Sequence, residues 1–148
     1  MDQILCALGT TIRQAGSRER FRLVDYQYPL ETARLGLAGG ATHYLLVSAT
    51  GADPRSWVFY SRVKGEVESA ILAMPYRSVT IVRPSLLLGR RAEYRLGEQI
   101  AKRLAFLAPR RYKPVHADAV AATLVSAAKD DVPGRRIIES KDIGVAAP

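Results

Sequence analysis

Apolar and polar positions along the chain follow two different periods. Unbroken apolar runs occur at Ile4–Leu8, Leu45–Val47 and Val79–Val82, with a last short one around Arg136–Ile138. Runs of this length, closed by Gly, Ser or Pro, predict buried strands. The second of these strands extends from His43 to Ser48, and Pro84 stops the third. Helical spacing fills the intervals. Phe21, Val24, Tyr28, Leu35 and Leu37 fit one long helix, kinked at Pro29 and ended by Gly39 and Gly40. Ser56 to about Met74 predicts a central helix entered through Asp53-Pro54. Arg91–Leu107 and His116–Lys129 predict two more, the latter with Val120, Leu124, Ala127 and Ala128 on one face and Asp118 steadying its start. Arg13–Arg20 is polar and predicts a loop, with a helix start near Ser17. Tyr112–Val115 reads as extended, Pro133-Gly134 as a turn and the tail as frayed. Strands alternating with helices predict an α/β fold with a parallel sheet.

Length and charge narrow this picture a little. A chain of 148 residues predicts one domain, residues 1–148, and 48% hydrophobic residues can form a core. The formal charge of +8 would attract an anionic ligand or surface. Basic residues crowd one segment, from Arg90 through Arg103 to Lys113, without forming a single run. A solvated basic helix and loop accounts for them, so nucleic acid is not an expected partner. Cys6 is the one cysteine; it lies in an apolar run and predicts core packing. His43 and His116 are far apart, with no Cys or carboxylate pattern around them, so no metal site is expected. No apolar run approaches membrane-spanning length and the start does not read as a signal peptide, which predicts a cytoplasmic location.

Candidate chemistry concentrates between Leu45 and Gly65. Ser48 ends a strand. Tyr60 and Lys64 follow on a helix, four residues apart, so both project from one face. A free phenol has a pKa of about 10, too high for easy proton transfer at neutral pH. An ammonium one helical turn away is expected to favour the phenolate. The serine hydroxyl can hold a carbonyl or alcohol oxygen beside the tyrosine. Gly36, Gly39 and Gly40 form the one glycine cluster, after a helix and before a strand, so they read as a helix end and not as a phosphate loop.

Five motifs carry a family resemblance: CALGTT (Cys6–Thr11), VDY (Val24–Tyr26), HYLLVSATGA (His43–Ala52), FYSRVKGEVE (Phe59–Glu68) and IVRPSLLLGRR (Ile81–Arg91). In this order they resemble the short-chain dehydrogenase/reductase superfamily. Within it, the chain is similar to the atypical NAD(P)-binding group of the Tat-interacting-protein oxidoreductase, which is NmrA-like or epimerase-like. The resemblance implies the C-terminal part of a Rossmann-type parallel sheet, with a Ser-Tyr-Lys triad at Ser48, Tyr60 and Lys64. It places Gly9, Thr10 and Thr11 along the cofactor cleft, Lys64 on the nicotinamide ribose, and Pro84 and Ser85 where backbone groups meet the carboxamide. Asp25 lies near the position at which many members carry an asparagine of the proton relay. Matched to the family, residue 2 falls at the fourth strand, so the first βαβ phosphate-binding unit is expected to be missing and NAD(H) or NADP(H) to bind weakly. The implied activity is an NAD(P)H-dependent oxidoreductase acting on a small-molecule carbonyl or alcohol. The alternatives are a non-catalytic NADP(H)-binding regulatory or interaction module, and an inactive fragment. The segment from Gly89 to Arg111 is where substrate contacts are expected. A first strand lacking its neighbour is expected to promote self-association through an exposed sheet edge.

Overall fold

The computed structural model describes residues 2–85, 87–88 and 115–144. Four parallel strands form the sheet: β1 (Gln3–Cys6), β2 (His43–Val47), β3 (Ser78–Arg83) and β6 (Gly134–Glu139), adjacent in that order. Two short segments, β4 (Leu87–Leu88) and β5 (Val115–His116), pair in parallel beside it. The helices are α1 (Ile12–Ala15), α2 (Arg18–Arg22), α3 (Tyr28–Ala38), α4 (Phe59–Leu72) and α5 (Ala117–Asp130).

The alternation of side chains along β2 and β3 builds a core on both sheet faces. Tyr44 and Leu46, with Val79 and Ile81, turn to one side. There they meet Leu30 and Ala33 of α3 and Val67 and Ile71 of α4. Leu45 and Val82 turn to the other side, against Val120, Leu124 and Ala127 of α5 and Ile138 of β6. Each such aliphatic side chain, once fully buried, contributes about 1.5–3 kcal/mol. Cys6 joins the first cluster, as its apolar setting predicted. The α/β class and parallel sheet expected from the sequence are therefore present.

Several boundaries differ from the sequence reading. β1 stops at Cys6 and not at Leu8, freeing Ala7 to Thr11 to turn across the strand ends. The segment expected as a loop holds α1 and α2, because Thr11 and Ser17 each cap a helix start: their hydroxyls accept from Gln14 N and Arg20 N, both at 3.1 Å. The kink expected at Pro29 is a π-helical turn over Leu23–Gln27, just ahead of it. Proline has no N–H, and its ring would clash with the carbonyl of Asp25 in an α-register; widening the preceding turn relieves both problems. Gly39 and Gly40 do end α3, with Gly40 at φ 82°. The central helix starts at Phe59, not Ser56. Asp53 instead holds a turn, its carboxylate accepting from Arg55 N at 2.8 Å. That turn packs on Gly65, where a Cβ would stand 2.2 Å from Pro54 N. The last strand is longer than Arg136–Ile138, because β6 pairs with β3 along all six residues. The expected helix Arg91–Leu107, the basic segment and the segment proposed for substrate contacts lie outside the described residues, as does most of Tyr112–Val115.

Among the described residues β1 is an edge strand, paired only with β2. Leu5 is half exposed there.

Candidate active site

The carboxyl ends of β1, β2 and β3 lie side by side, and the residues singled out in the sequence sit on the loops that leave them. Ser48 follows β2 directly. Its amide donates to Val82 O at 2.8 Å, which continues the ladder and fixes the residue against β3. Its hydroxyl is buried and has no hydrogen-bond partner among the described residues. A buried polar group with no partner is costly and uncommon in folded proteins.

Tyr60 and Lys64 occupy one face of α4, as their spacing requires. The Tyr60 ring packs on Phe21 of α2, centroid to centroid 5.4 Å. Because the Ser48 hydroxyl has no partner, it makes no hydrogen bond to Tyr60 in this state. Lys64 is buried, and its Nζ lies 2.7 Å from Oδ1 of Asp25, which is itself fully buried. The second Asp25 oxygen accepts from Thr10 N at 2.9 Å. Gly9 passes directly over this pair: a Cβ there would stand 3.3 Å from Asp25 Oδ1 and 3.5 Å from Lys64 Nζ.

This arrangement corrects the electrostatic expectation for Tyr60. Its pKa is raised, not lowered, first by burial and then by the negative charge of Asp25. The lysine that was expected to favour the phenolate spends its charge on a carboxylate. Asp25 was visible in the sequence only as a departure from an asparagine pattern. The proline four residues after it was the one local signal that its turn would be unusual.

The remaining candidates divide. Gly9 and Thr10 join the Asp25–Lys64 pair. The Thr11 hydroxyl is committed to the α1 cap. Pro84 and Ser85 stand beside Ser48, but their backbone groups have internal partners: Pro84 O accepts from Thr50 N at 2.9 Å, and Ser85 N donates to Ser140 Oγ at 3.1 Å. A network that sequence reasoning missed supports this loop. Arg83, at the end of β3, donates to buried Glu68 of α4 at 2.6 Å and to Glu139 of β6 at 2.9 Å. Trp57, three residues before Tyr60, is 98% exposed.

No family profile matches the chain. Among characterised proteins, it is 43% identical over 98 residues to Protein HTATIP2 of Rattus norvegicus, a match covering 66% of this chain and 40% of that protein. It is 39% identical over 98 residues to the mitochondrial protein fmp52 of Emericella nidulans, covering 66% of this chain and 42% of that one. The chain thus spans less than half the length of the curated relatives it matches. Solved structures repeat the fold. MoeE5 in complex with UDP-glucose and NAD superposes with a TM-score of 0.71 at 11% identity, over 93% of this chain and 55% of that one. RMD from Pseudomonas aeruginosa, complexed with NADPH, gives 0.66 at 16% identity, over 94% and 61%. The cytoplasmic expectation is overturned, since the fungal relatives are named as mitochondrial proteins. No described helix is long and apolar enough to cross a membrane. By sequence the chain is similar to the HTATIP2 and FMP52 proteins, and it has the Rossmann-type fold of the solved structures in complex with NAD and NADPH.

Proposed function

We propose that the chain carries the catalytic side of an NAD(P)H-dependent oxidoreductase site acting on a small carbonyl compound. One observation carries this reading: the Ser48 hydroxyl is buried at a strand end without a hydrogen-bond partner among the described residues, and the helix that follows presents Tyr60 and Lys64. A hydroxyl held dry and unsatisfied is ready to donate to an incoming carbonyl oxygen. Ser48 holds that oxygen. Tyr60 gives it a proton. Lys64 anchors a ribose hydroxyl.

The residues fit the nicotinamide end of such a cofactor. Gly9 leaves no side chain over the Lys64 ammonium. Structural neighbours in complex with NAD and NADPH support the choice of cofactor. When bound, a reduced nicotinamide supplies hydride to the carbonyl carbon. With the proton from Tyr60 on oxygen, the product is an alcohol. Among the described residues there is no glycine-rich strand-to-helix turn for the pyrophosphate, so binding weaker than micromolar is expected for this chain in a calorimetric titration with NADPH.

The test is NADPH consumption with a panel of small aldehydes and ketones. Tyr60→Phe should lower turnover about 10²–10⁴-fold, the usual worth of a positioned proton donor. Turnover unchanged in that variant would sink the catalytic assignment. A second reading, a nucleotide-binding module without turnover, is favoured by one feature: the Ser85 amide expected to meet the carboxamide is bonded to Ser140. That reading predicts saturable NADPH binding, indifferent to Tyr60→Phe, and no consumption.

A further inference from the structure

The loop between β2 and α4 presents side chains that the reaction proposed above does not use. Trp57, the chain's single tryptophan, is 98% exposed, and Val58 beside it is exposed as well. Slack in the loop does not account for this. Asp53 N donates to Ser61 O at 3.0 Å and Ser56 N to Asp53 O at 3.0 Å, which ties the loop to the first turn of α4. Next to Trp57, Ser56 Oγ accepts from Val58 N at 3.1 Å, and Ser56 O accepts from the Arg62 guanidinium at 3.0 Å. The backbone at the tip is held while two apolar side chains stand in water. An indole offers about 150–250 Å² for burial, and the folded chain covers almost none of it. Cations surround the tip. Arg55 is exposed, and its nearest carboxylate, Asp53, is 3.8 Å away. Arg18 of α2 and Arg62 of α4 lie against the ring of Phe59, the residue after Val58, at 5.1 and 5.8 Å from its centroid. Neither of these two arginines makes an ion pair among the described residues. The first turn of α4 holds no acidic residue, and Glu19 is the only carboxylate beside Arg18 along α2.

We propose that Trp57 and Val58 form an interfacial anchor which, with Arg18, Arg55 and Arg62, docks the chain on an anionic lipid bilayer surface. This inference is independent of the reaction proposed above. A tryptophan has an apolar body and one N–H, and such a side chain is favoured at the headgroup level of a bilayer, where one end is dry and the other wet. Arginines around it add attraction to anionic headgroups, and their stems can lie along apolar surface while the guanidinium stays wet. The Phe59 ring performs that service for Arg18 and Arg62. The shape of the tip favours lipid over a macromolecule. A side chain exposed on every side has no facing wall, so a base or a peptide has no groove to enter, whereas a fluid interface closes around a single protruding ring.

The test uses the whole chain, without substrate or cofactor, and vesicles of two compositions: phosphatidylcholine alone, and phosphatidylcholine with one third phosphatidylglycerol. Because Trp57 is the single tryptophan, its emission reports the tip directly. On the anionic vesicles the emission should move to the blue, and lipids brominated near the headgroup should quench it. Binding measured by co-sedimentation should weaken as salt is raised. It should fall about tenfold or more on neutral vesicles, in Trp57→Ala, and in the double variant Arg18→Gln, Arg62→Gln. Trp57→Ala removes a side chain that touches almost nothing, so its melting midpoint should equal the parent's and its loss of binding is read on a folded protein. An emission unmoved by anionic vesicles overturns the proposal, as does binding by Trp57→Ala equal to that of the parent or equal binding to the two vesicle compositions. A single-stranded oligothymidylate that shifts the emission and displaces the vesicles would assign the tip to nucleic acid and overturn it too.

Discussion

At the scale of single residues, the site combines one unsatisfied group with one over-satisfied pair. Among the described residues the Ser48 hydroxyl has no hydrogen-bond partner, whereas Lys64 has a carboxylate at contact distance and Asp25 an amide besides. The two should respond differently to substitution. Ser48→Ala removes a buried donor that bonds no described residue, so its stability in urea should match or exceed that of the parent, by up to about 1 kcal/mol. NADPH consumption by the same variant should fall with the loss of the carbonyl's donor. A stability loss comparable to that of a core truncation would show that Ser48 has a structural partner after all. The positions of Ser48, Tyr60 and Lys64 were legible in the sequence, because a strand end and an i, i+4 pair are local patterns. The sign of the field on Tyr60 was not. It depends on Asp25, which only the packing of α2 against α4 brings near.

Elements show the same division between local and distant causes. The caps at Thr11 and Ser17 were local, yet the polar sequence around them obscured two short helices. Helix α4 starts three residues later than its sequence suggests, because the Asp53–Pro54 turn needs room against Gly65. Gly65 follows Lys64 immediately, so the close approach that it permits also fixes the turn of helix carrying the lysine. Gly65→Ala would drive a methyl group into the backbone of Asp53 and Pro54. A loss of about 1–3 kcal/mol or more in chemical denaturation is expected. A variant as stable as the parent would mean that the turn can lift off the helix at no cost.

Over the whole molecule, charged contacts brace both ends of the sheet. Arg83, Glu68 and Glu139 tie β3, α4 and β6 at the carboxyl ends. At the opposite ends, His43 is buried with Nδ1 3.1 Å from Asp131 and Nε2 3.0 Å from Thr80 Oγ1, and Arg77 also contacts Asp131. The His43 pKa is depressed, chiefly by burial, against the opposing pull of Asp131. The unfolded chain therefore takes up a proton near the ordinary value of about 6.5, while the folded chain resists it. Stability should be fully present above that pH and fall as pH drops from it toward the folded value, by at most about 1.4 kcal/mol per unit. His43→Gln should flatten this slope in denaturation curves taken at several pH values; an identical slope would place its origin elsewhere. Trp57 has a consequence of another kind. It is the chain's single tryptophan and stands bare in solvent at the approach to Tyr60. Its fluorescence should already resemble that of the free indole in the native protein, so unfolding the core should scarcely change its colour. A bound reduced nicotinamide would lie within energy-transfer range, so its arrival should dim the indole and light the cofactor. The protein thus carries an optical gauge that is nearly blind to folding and sensitive to occupancy of the cleft, and titrating NADPH while exciting Trp57 would read it.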